Sequence, residues 1–120
     1  MEEIDNNFIN AISTNEKLEI NFKTVNPSDD DWKDFSEFIN NYFESIEKNS
    51  NKIDIYFNIE EVSIYNYKFI KYFIKLMKNL KDIYKNNIEC TYIKTNSTIT
   101  KKTVGIYINL YKLNNKIKFI

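Results

Sequence analysis

The first half of the chain contains stretches in which apolar and polar positions alternate, as they do in β-strands. Residues 8–12 form a short apolar stretch, residues 13–16 have the composition of a turn, and residues 18–22 alternate. This pattern predicts a β-hairpin within the first 26 residues. Residues 53–59 carry Ile or Phe at every second position, which predicts a further strand with one buried face.

Two longer segments repeat their apolar residues at spacings of three and four, which predicts two amphipathic helices. The first begins after Ser28, whose hydroxyl can accept backbone N–H bonds, and extends to about Lys48. The second covers about residues 66–85. Opposite its apolar stripe, the second helix carries a row of lysines: Lys68, Lys71, Lys75, Lys78, Lys81 and Lys85.

The pattern in the last third of the chain supports more than one interpretation. Ile88, Cys90 and Tyr92 alternate, so they predict a strand whose buried face holds the Cys90 thiol. Residues 98–113 fit a helix begun by Ser97 or Thr98, but they also alternate at the period of a strand. We favour the helix, followed by an edge strand at residues 116–120.

The predicted order is a β-hairpin followed by alternating helices and strands. Helices between strands imply crossover connections, so we expect an α/β fold with a mixed sheet and helices packed on it. A chain of 120 residues has the size of one domain, and we expect residues 1–120 to form a single one.

The composition argues against most catalytic chemistry. All 17 basic residues are lysines, the chain contains no His, and Cys90, Gly105 and Pro27 are each the only residue of their kind. Imidazole and guanidinium groups are therefore missing, and one glycine cannot make a Gly-rich phosphate loop. We expect neither enzymatic activity nor a cofactor. A single cysteine indicates a reducing cytoplasm, and no apolar run approaches the ~18 residues of a membrane span.

Acidic residues cluster at two places in the chain, and the first of these is a candidate cation site. Residues 29–34 contain four aspartates, whose oxygens suit a hard cation such as Mg²⁺. Carboxylates are also favoured at the positive end of a helix dipole, so we interpret these aspartates as residues that stabilise the helix start. Glu60 and Glu61 are interpreted as solvated charges in a turn. We therefore expect no metal site.

Acidic and basic residues are divided between the two halves of the chain. Residues 1–61 contain 15 acids and 5 lysines, whereas residues 62–120 contain 2 acids and 12 lysines. If the two helices lie on one face of the sheet, we expect their opposite charges to meet as neighbours. If they do not, two opposite fields remain available for self-association or for an acidic partner.

Four stretches together carry a family resemblance: residues 18–27, an aromatic-rich helix end at residues 38–43, the strand and turn at residues 53–68, and Val104-Gly105 with Tyr107. In order and spacing they resemble the STAS-like fold and, within it, the SiaC-type regulatory phosphoproteins of bacteria. The first stretch is similar to the family's second strand and its entry into the first helix. The third resembles the strand-to-helix junction of STAS domains, and the fourth is similar to a Gly-acidic-acidic-aromatic element.

This resemblance implies a non-catalytic regulatory domain that binds proteins. Its partners would be a kinase/phosphatase pair and an effector such as a cyclic-dinucleotide synthase. In the family the junction reads Asn-Thr-Ser-Ser, and a partner kinase phosphorylates a hydroxyl there. This chain retains one aliphatic hydroxyl at the junction, that of Ser63, which is the candidate for phosphorylation. The predicted partner-binding residues are Tyr65, Asn66, Tyr67, Lys68, Lys71, Lys75 and Lys78.

Two alternatives come from other functional classes. One is a structural or self-assembling interaction protein of an AT-rich virus or bacterium. The other is a nucleic-acid binder that uses the lysines of the second helix. Nucleic-acid-binding faces usually combine lysine with Arg and stacking aromatic residues. The lysine face of the second helix contains neither, so the sequence argues against nucleic acid.

Overall fold

The computed structural model describes residues 2–24, 26–61, 67–113 and 116–120, with only the backbone described at Tyr67 and Lys68. It contains six strands and three helices. The strands are β1 (Glu2–Asp5), β2 (Ile9–Ser13), β3 (Lys17–Phe22), β4 (Ile53–Asn58), β5 (Ile88–Lys94) and β6 (Ile117–Phe119). The helices are α1 (Asp29–Lys48), α2 (Tyr67–Tyr84) and α3 (Thr98–Leu110). No helix in the described ranges combines the length and the apolar character needed to cross a bilayer.

All six strands form one sheet, in which their spatial order is their order in the chain. β1, β2 and β3 are antiparallel to one another, whereas β3, β4, β5 and β6 run parallel. The α/β fold with a mixed sheet is thus confirmed, as are the hairpin of β2 and β3, the helix at residues 98–110 and the edge strand β6. Strand β1, which has a single apolar residue, Ile4, was not predicted.

Parallel neighbours need crossover connections, and right-handed crossovers that all step in the same direction place their helices on one face of the sheet. Ring contacts agree with this arrangement. The Phe22 ring of β3 lies 6.3 Å from Phe35 of α1 and 5.9 Å from Phe73 of α2. The rings of Phe43 and Tyr84 stack 4.4 Å apart and join α1 to α2. The helices and the sheet therefore share a single core.

No described helix or strand covers the opposite face of the sheet, which is called the uncovered face below. On β2, β3 and β4 the residues that alternate with the core positions are half-buried or exposed, so nothing in the described ranges packs over them. Tyr56 and Tyr92 stack on this face with ring centroids 4.7 Å apart, and the Lys17 ammonium lies 5.3 Å from the Tyr56 ring centroid. Parallel sheets are usually covered on both faces, so this bare face is unusual.

Strand β5 contains an irregularity that changes which of its residues are buried. Ile88 pairs with Ile53 and Cys90 pairs with Asp54, so Glu89 is an extra residue in the ladder. A bulge of this kind reverses the alternation beyond it. The prediction that Ile88, Cys90 and Tyr92 share a buried face is therefore wrong. Cys90 lies on the uncovered face, half-buried, where its thiol donates a 3.3 Å hydrogen bond to the Lys116 carbonyl oxygen.

Candidate partner-binding groove

The described surface contains a groove between α2 and α3 with a volume of about 390 Å³. Three of the predicted partner-binding residues, Lys71, Lys75 and Lys78, lie along its α2 side. Tyr107 and Tyr111 lie along its α3 side, and Ile74, which is buried, also contributes to the lining. The groove therefore combines positive charge with aromatic surface.

Helical spacing explains the lysine wall. Positions 71, 75 and 78 are separated by four and three residues, so they lie on one side of α2. All three side chains are exposed. Away from the lysines, α2 is anchored in the core by Phe69, Ile70, Phe73, Met77 and Leu80. This anchoring fixes the rotation of the helix about its axis and holds the lysine row toward the groove.

The tyrosine wall follows the same rule on α3. Tyr107 and Tyr111 are four residues apart, and their rings are nearly parallel, with centroids 6.4 Å apart and an interplanar angle of 12°. Tyr111 is the C-cap of α3, and its N–H donates to the Tyr107 carbonyl oxygen at 3.0 Å. Tyr107 packs against the core, whereas Tyr111 is 47% exposed. The cap and the core contact together hold the two rings beside the lysines.

The two tyrosines correct one part of the sequence interpretation. Aromatic residues were expected to be missing beside the lysine face because α2 alone was considered. In the structure these aromatic residues belong to α3, a segment whose sequence pattern also fits a strand. The signal that could have revealed them is the i, i+4 spacing of Tyr107 and Tyr111, which puts both on one face once the segment is taken as a helix.

None of the described residues that line the groove is acidic, and α3 contains no acidic residue. Among the described side chains, none of the ion pairs involves Lys71, Lys75 or Lys78. Like charges spaced three or four residues apart on a helix destabilise it by about 0.2–0.5 kcal/mol per pair. An anion bound in the groove would relieve this repulsion, so the site favours a negatively charged occupant.

Helix α3 also exposes an apolar stripe. Ile99, Ile106 and Leu110 are 59%, 66% and 67% exposed, and their spacings of seven and four put them on one side of the helix. Leu110 follows Tyr107 by three positions, which is about 60° around a helix of 3.6 residues per turn. The stripe therefore lies next to the tyrosine wall, and apolar surface flanks the charged groove.

The acidic helix α1 and the basic helix α2 have one of the two placements considered for them, but their contact does not consist of ion pairs. Helices α1 and α2 lie on the same face of the sheet, yet none of the ion pairs between described side chains joins them. Aromatic contacts occupy their interface instead, including Trp32 with Tyr72 at 5.6 Å and Phe43 with Tyr84 at 4.4 Å. Among the described side chains, these opposite charges thus form no ion pair across the interface, and Lys71, Lys75 and Lys78 remain available to a partner.

The strand-to-helix junction is described only in part. Ser63, Tyr65 and Asn66 lie outside the described residues, and the side chains of Tyr67 and Lys68 do as well. The described part of the junction begins where β4 ends, at the carboxyl edge of the parallel strands, where ligands of open α/β sheets usually bind. There the Glu60 N–H donates a 3.0 Å hydrogen bond to the Asn58 side-chain oxygen, and the Glu60 carboxylate lies 3.3 Å from the Lys94 ammonium.

A second cavity, of about 290 Å³, lies between the end of α2 and the start of β5 and β6. Two of the three lysines that line it, Lys81 and Lys116, are already engaged within the molecule. The Lys81 ammonium donates to the Lys112 carbonyl oxygen at 2.9 Å, and the Lys116 ammonium lies 3.5 Å from the Glu89 carboxylate. The groove between α2 and α3 is therefore the stronger candidate for an anionic partner.

The acidic start of α1 has a structural role. The Ser28 hydroxyl oxygen accepts a 3.1 Å hydrogen bond from the Asp31 N–H, which confirms the predicted N-cap. Asp29, Asp30 and Asp31 occupy the first turn, where they complement the helix dipole. In the described part of the chain, no group of three or more acidic, Cys or His side chains is placed to hold a metal ion.

Comparison with known proteins shows no relative: no family model matches the chain, and neither does any curated protein or solved structure. The likeness to SiaC-type proteins thus depends on the residues quoted above.

Proposed function

We propose that this chain is a non-catalytic binding domain that holds an acidic, amphipathic segment of a partner protein in the groove between α2 and α3. The observation that carries the proposal is the pairing of two walls. Lys71, Lys75 and Lys78 have no acidic partner among the described side chains, and they face two stacked tyrosines across the groove.

Each part of the groove suits a different part of such a segment. Carboxylates of the partner would bind the lysine ammonium groups, and its apolar residues would pack on Tyr111 and on the exposed stripe of α3. Tyrosine is enriched in protein interfaces because it offers a large contact area and a polar hydroxyl. An exposed apolar stripe beside a groove also marks a site of protein interaction.

Single-stranded nucleic acid is the competing occupant, because it too binds basic grooves with stacking aromatics. Two features favour protein. The chain has no Arg, and Ile99, Ile106 and Leu110 offer apolar surface that a phosphate backbone would not use. The test below includes an oligonucleotide so that the two occupants are separated.

The resemblance to SiaC-type proteins supports a regulatory role for this binding. In that role the partner is an effector such as a cyclic-dinucleotide synthase, and a kinase/phosphatase pair acts on Ser63. A phosphate carries a charge of about −1.5 to −2 at neutral pH, so it would compete with an acidic partner for lysines within its reach. The absence of His from the sequence supports a function without catalysis.

The groove is tested with a labelled, helix-forming peptide that carries Glu on one face and Leu on the other. Fluorescence anisotropy measures its affinity for the wild-type chain and for the triple variant Lys71→Gln, Lys75→Gln, Lys78→Gln. The matched control is Lys85→Gln, Lys102→Gln, Lys112→Gln, which removes the same charge at exposed positions outside the groove. We expect the groove variant to bind at least tenfold more weakly and the control to bind within about threefold of wild type.

Equal affinities for the two triple variants would show that the peptide does not bind in the groove. A dT15 oligonucleotide that binds more tightly than the peptide, and loses its affinity in the groove variant, would instead identify a nucleic-acid binder.

The regulatory role is tested separately. Mass spectrometry of the chain isolated from its native cells should show a phosphate on Ser63. Ser63→Asp should change the peptide affinity, whereas Ser45→Asp, at an exposed position of α1, should not. An unmodified Ser63, together with equal affinities for these two variants, would leave a binding domain without the switch.

A further inference from the structure

The two edges of the sheet carry opposite charges. β1 forms one edge and contains Glu2, Glu3 and Asp5, all exposed. β6 forms the other edge and carries Lys118, with Lys116 immediately before it, and both lysines are exposed. Because the spatial order of the strands follows the chain, the acidic and basic halves of the sequence lie on opposite sides of the sheet. We infer that β6 of one chain pairs with β1 of a second copy, so that the sheet continues from molecule to molecule.

Both edges present unpaired backbone groups. The Thr91 N–H donates to the Lys116 carbonyl oxygen and the Ile120 N–H to the Ile93 carbonyl oxygen, so the peptide groups of Ile117 and Phe119 point away from β5. At the other edge the Asn6 N–H donates to the Ile9 carbonyl oxygen. In the alternating antiparallel pattern, the peptide groups of Glu3 and Asp5 then point away from β2. No other described strand pairs with either edge.

The strand directions fix how two copies join. β1 is antiparallel to β2, β2 is antiparallel to β3, and β3 to β6 are parallel, so β1 and β6 run in the same direction. Two copies in the same orientation therefore form a parallel pair with the helices of both on one face. In this pair the Ile117 N–H donates to the Glu3 carbonyl oxygen, and the Phe119 N–H donates to the Asp5 carbonyl oxygen.

The side chains agree with this register. It places Glu3 of one copy opposite Lys116 of the other and Asp5 opposite Lys118. In the single chain Asp5 pairs with Lys23 and Lys116 lies 3.5 Å from the Glu89 carboxylate. These ion pairs are exposed and therefore weak, so the contact between copies can share or replace them. Ile4 lies opposite Ile117 on the helix-covered face, and both of these residues are half-buried in the single chain. Opposite charges at neighbouring cross-strand positions stabilise a strand pair, and like charges destabilise it. Pairing of β1 with β1, or of β6 with β6, would bring like charges together and is disfavoured.

This contact uses different surfaces on the two copies, so it leaves one edge free at each end and allows the assembly to grow. Charged residues on edge strands usually prevent such pairing. Here they prevent contacts between identical edges and favour contacts between unlike ones.

The test is an exchange of charge between the edges, followed by analytical ultracentrifugation of the 120-residue chain. The base-edge variant is Lys116→Glu, Lys118→Glu, and the acid-edge variant is Glu3→Lys, Asp5→Lys. Each variant has two edges of the same sign, so each should self-associate at least tenfold more weakly than wild type. In a 1:1 mixture every edge again meets an opposite charge, and association should return to within about threefold of wild type.

The controls reverse the same number of charges away from the edges. Lys75→Glu, Lys78→Glu and Glu44→Lys, Glu47→Lys should associate like wild type, even though the first of them disrupts the groove. The association of the wild type should weaken steeply between 50 mM and 500 mM NaCl, because salt screens exposed charges.

A wild-type chain that remains monomeric at 200 μM in 50 mM NaCl would overturn the inference. So would a mixture that remains as dissociated as its two components, or an equal loss of association in the Lys75→Glu, Lys78→Glu control.

Discussion

The phenol of Tyr42 on α1 donates a 2.9 Å hydrogen bond to the carbonyl oxygen of Thr14, in the turn between β2 and β3. The Tyr42 ring is 7% exposed and lies against Phe43 at 5.4 Å. This contact ties the first helix to the hairpin that precedes it. It also buries an ionisable group, which gives the fold a pH dependence that can be measured.

Burial raises the pKa of Tyr42 to about 12. The usual tyrosine pKa is about 10, so at alkaline pH the unfolded chain releases this proton before the folded chain does. The stability contributed by neutral Tyr42 is therefore complete below about pH 10 and is lost as the pH rises toward 12. Urea denaturation at pH 8, 10 and 11 should show a falling free energy of unfolding, and the fall should be smaller in Tyr42→Phe. An identical fall in both proteins would show that a group other than Tyr42 causes the pH dependence.

At pH 8 the same substitution removes the hydrogen bond and leaves the Thr14 carbonyl unpaired. Tyr42→Phe should therefore cost about 1 kcal/mol of unfolding free energy at that pH.

Phe22 lies at the centre of the aromatic core. Its ring is within 6.3 Å of five others, those of Phe8, Phe35, Phe57, Phe69 and Phe73. Phe22→Ala should lower the free energy of unfolding by about 3–5 kcal/mol because little of the cavity can close. Phe38→Ala, on the half-buried side of α1, is the matched control and should cost less than half as much. Equal losses in chemical denaturation would show that the core is not centred on Phe22.

The bulge at Glu89 predicts an accessible thiol. Cys90 lies half-buried on the uncovered face of the sheet, so a thiol reagent should label the folded chain stoichiometrically in buffer. The same position raises the pKa of Tyr92 to about 12, chiefly through its hydrogen bond with the Cys90 side chain. If labelling occurred only after urea denaturation, Cys90 would be inaccessible in the folded chain, and its placement on the uncovered face would be wrong.

The groove lysines should contribute little to the stability of the fold. Their side chains are exposed, and they have no acidic partners among the described residues. Lys71→Gln, Lys75→Gln, Lys78→Gln removes mutual repulsion worth a few tenths of a kcal/mol. Calorimetry should therefore show a Tm that is unchanged or higher by up to about 2 °C. A drop of more than about 5 °C would mean that the lysine stems support the packing of α2.

Strong periodicity made α1, β4 and α2 predictable, since each of them buries one regular face. The tail was ambiguous for a reason that the structure explains. In α3 the buried pair Val104 and Ile108 and the exposed pair Ile106 and Leu110 are each spaced by four residues. Two interleaved helical pairs produce the same alternation as a strand, so the pattern alone could not separate them.

The remaining errors concern residues whose positions depend on distant parts of the chain. β1 is held by its pairing with β2 rather than by an apolar face of its own. Ser13 was expected in a turn but ends β2 with 3% exposure, because its partner Glu2 extends the sheet. The bulge in β5 is defined by the pairing of β5 with β4, so the sequence of β5 alone does not reveal it. Tyr107 and Tyr111 join the lysines only after α3 packs beside α2.

Every strand of this sheet lies beside the strand that precedes it in the chain, and this simplifies folding. Each new strand finds its neighbour already present, and the longest connection between paired strands is a single helix with its loops. The two antiparallel pairs join residues close in the sequence, whereas the three parallel pairs join residues 26–37 positions apart. Local contacts form faster than distant ones, so we expect the antiparallel strands to pair first. During synthesis the hairpin and α1 can assemble while the later strands are still in the ribosome. The growing chain then extends a partial sheet strand by strand.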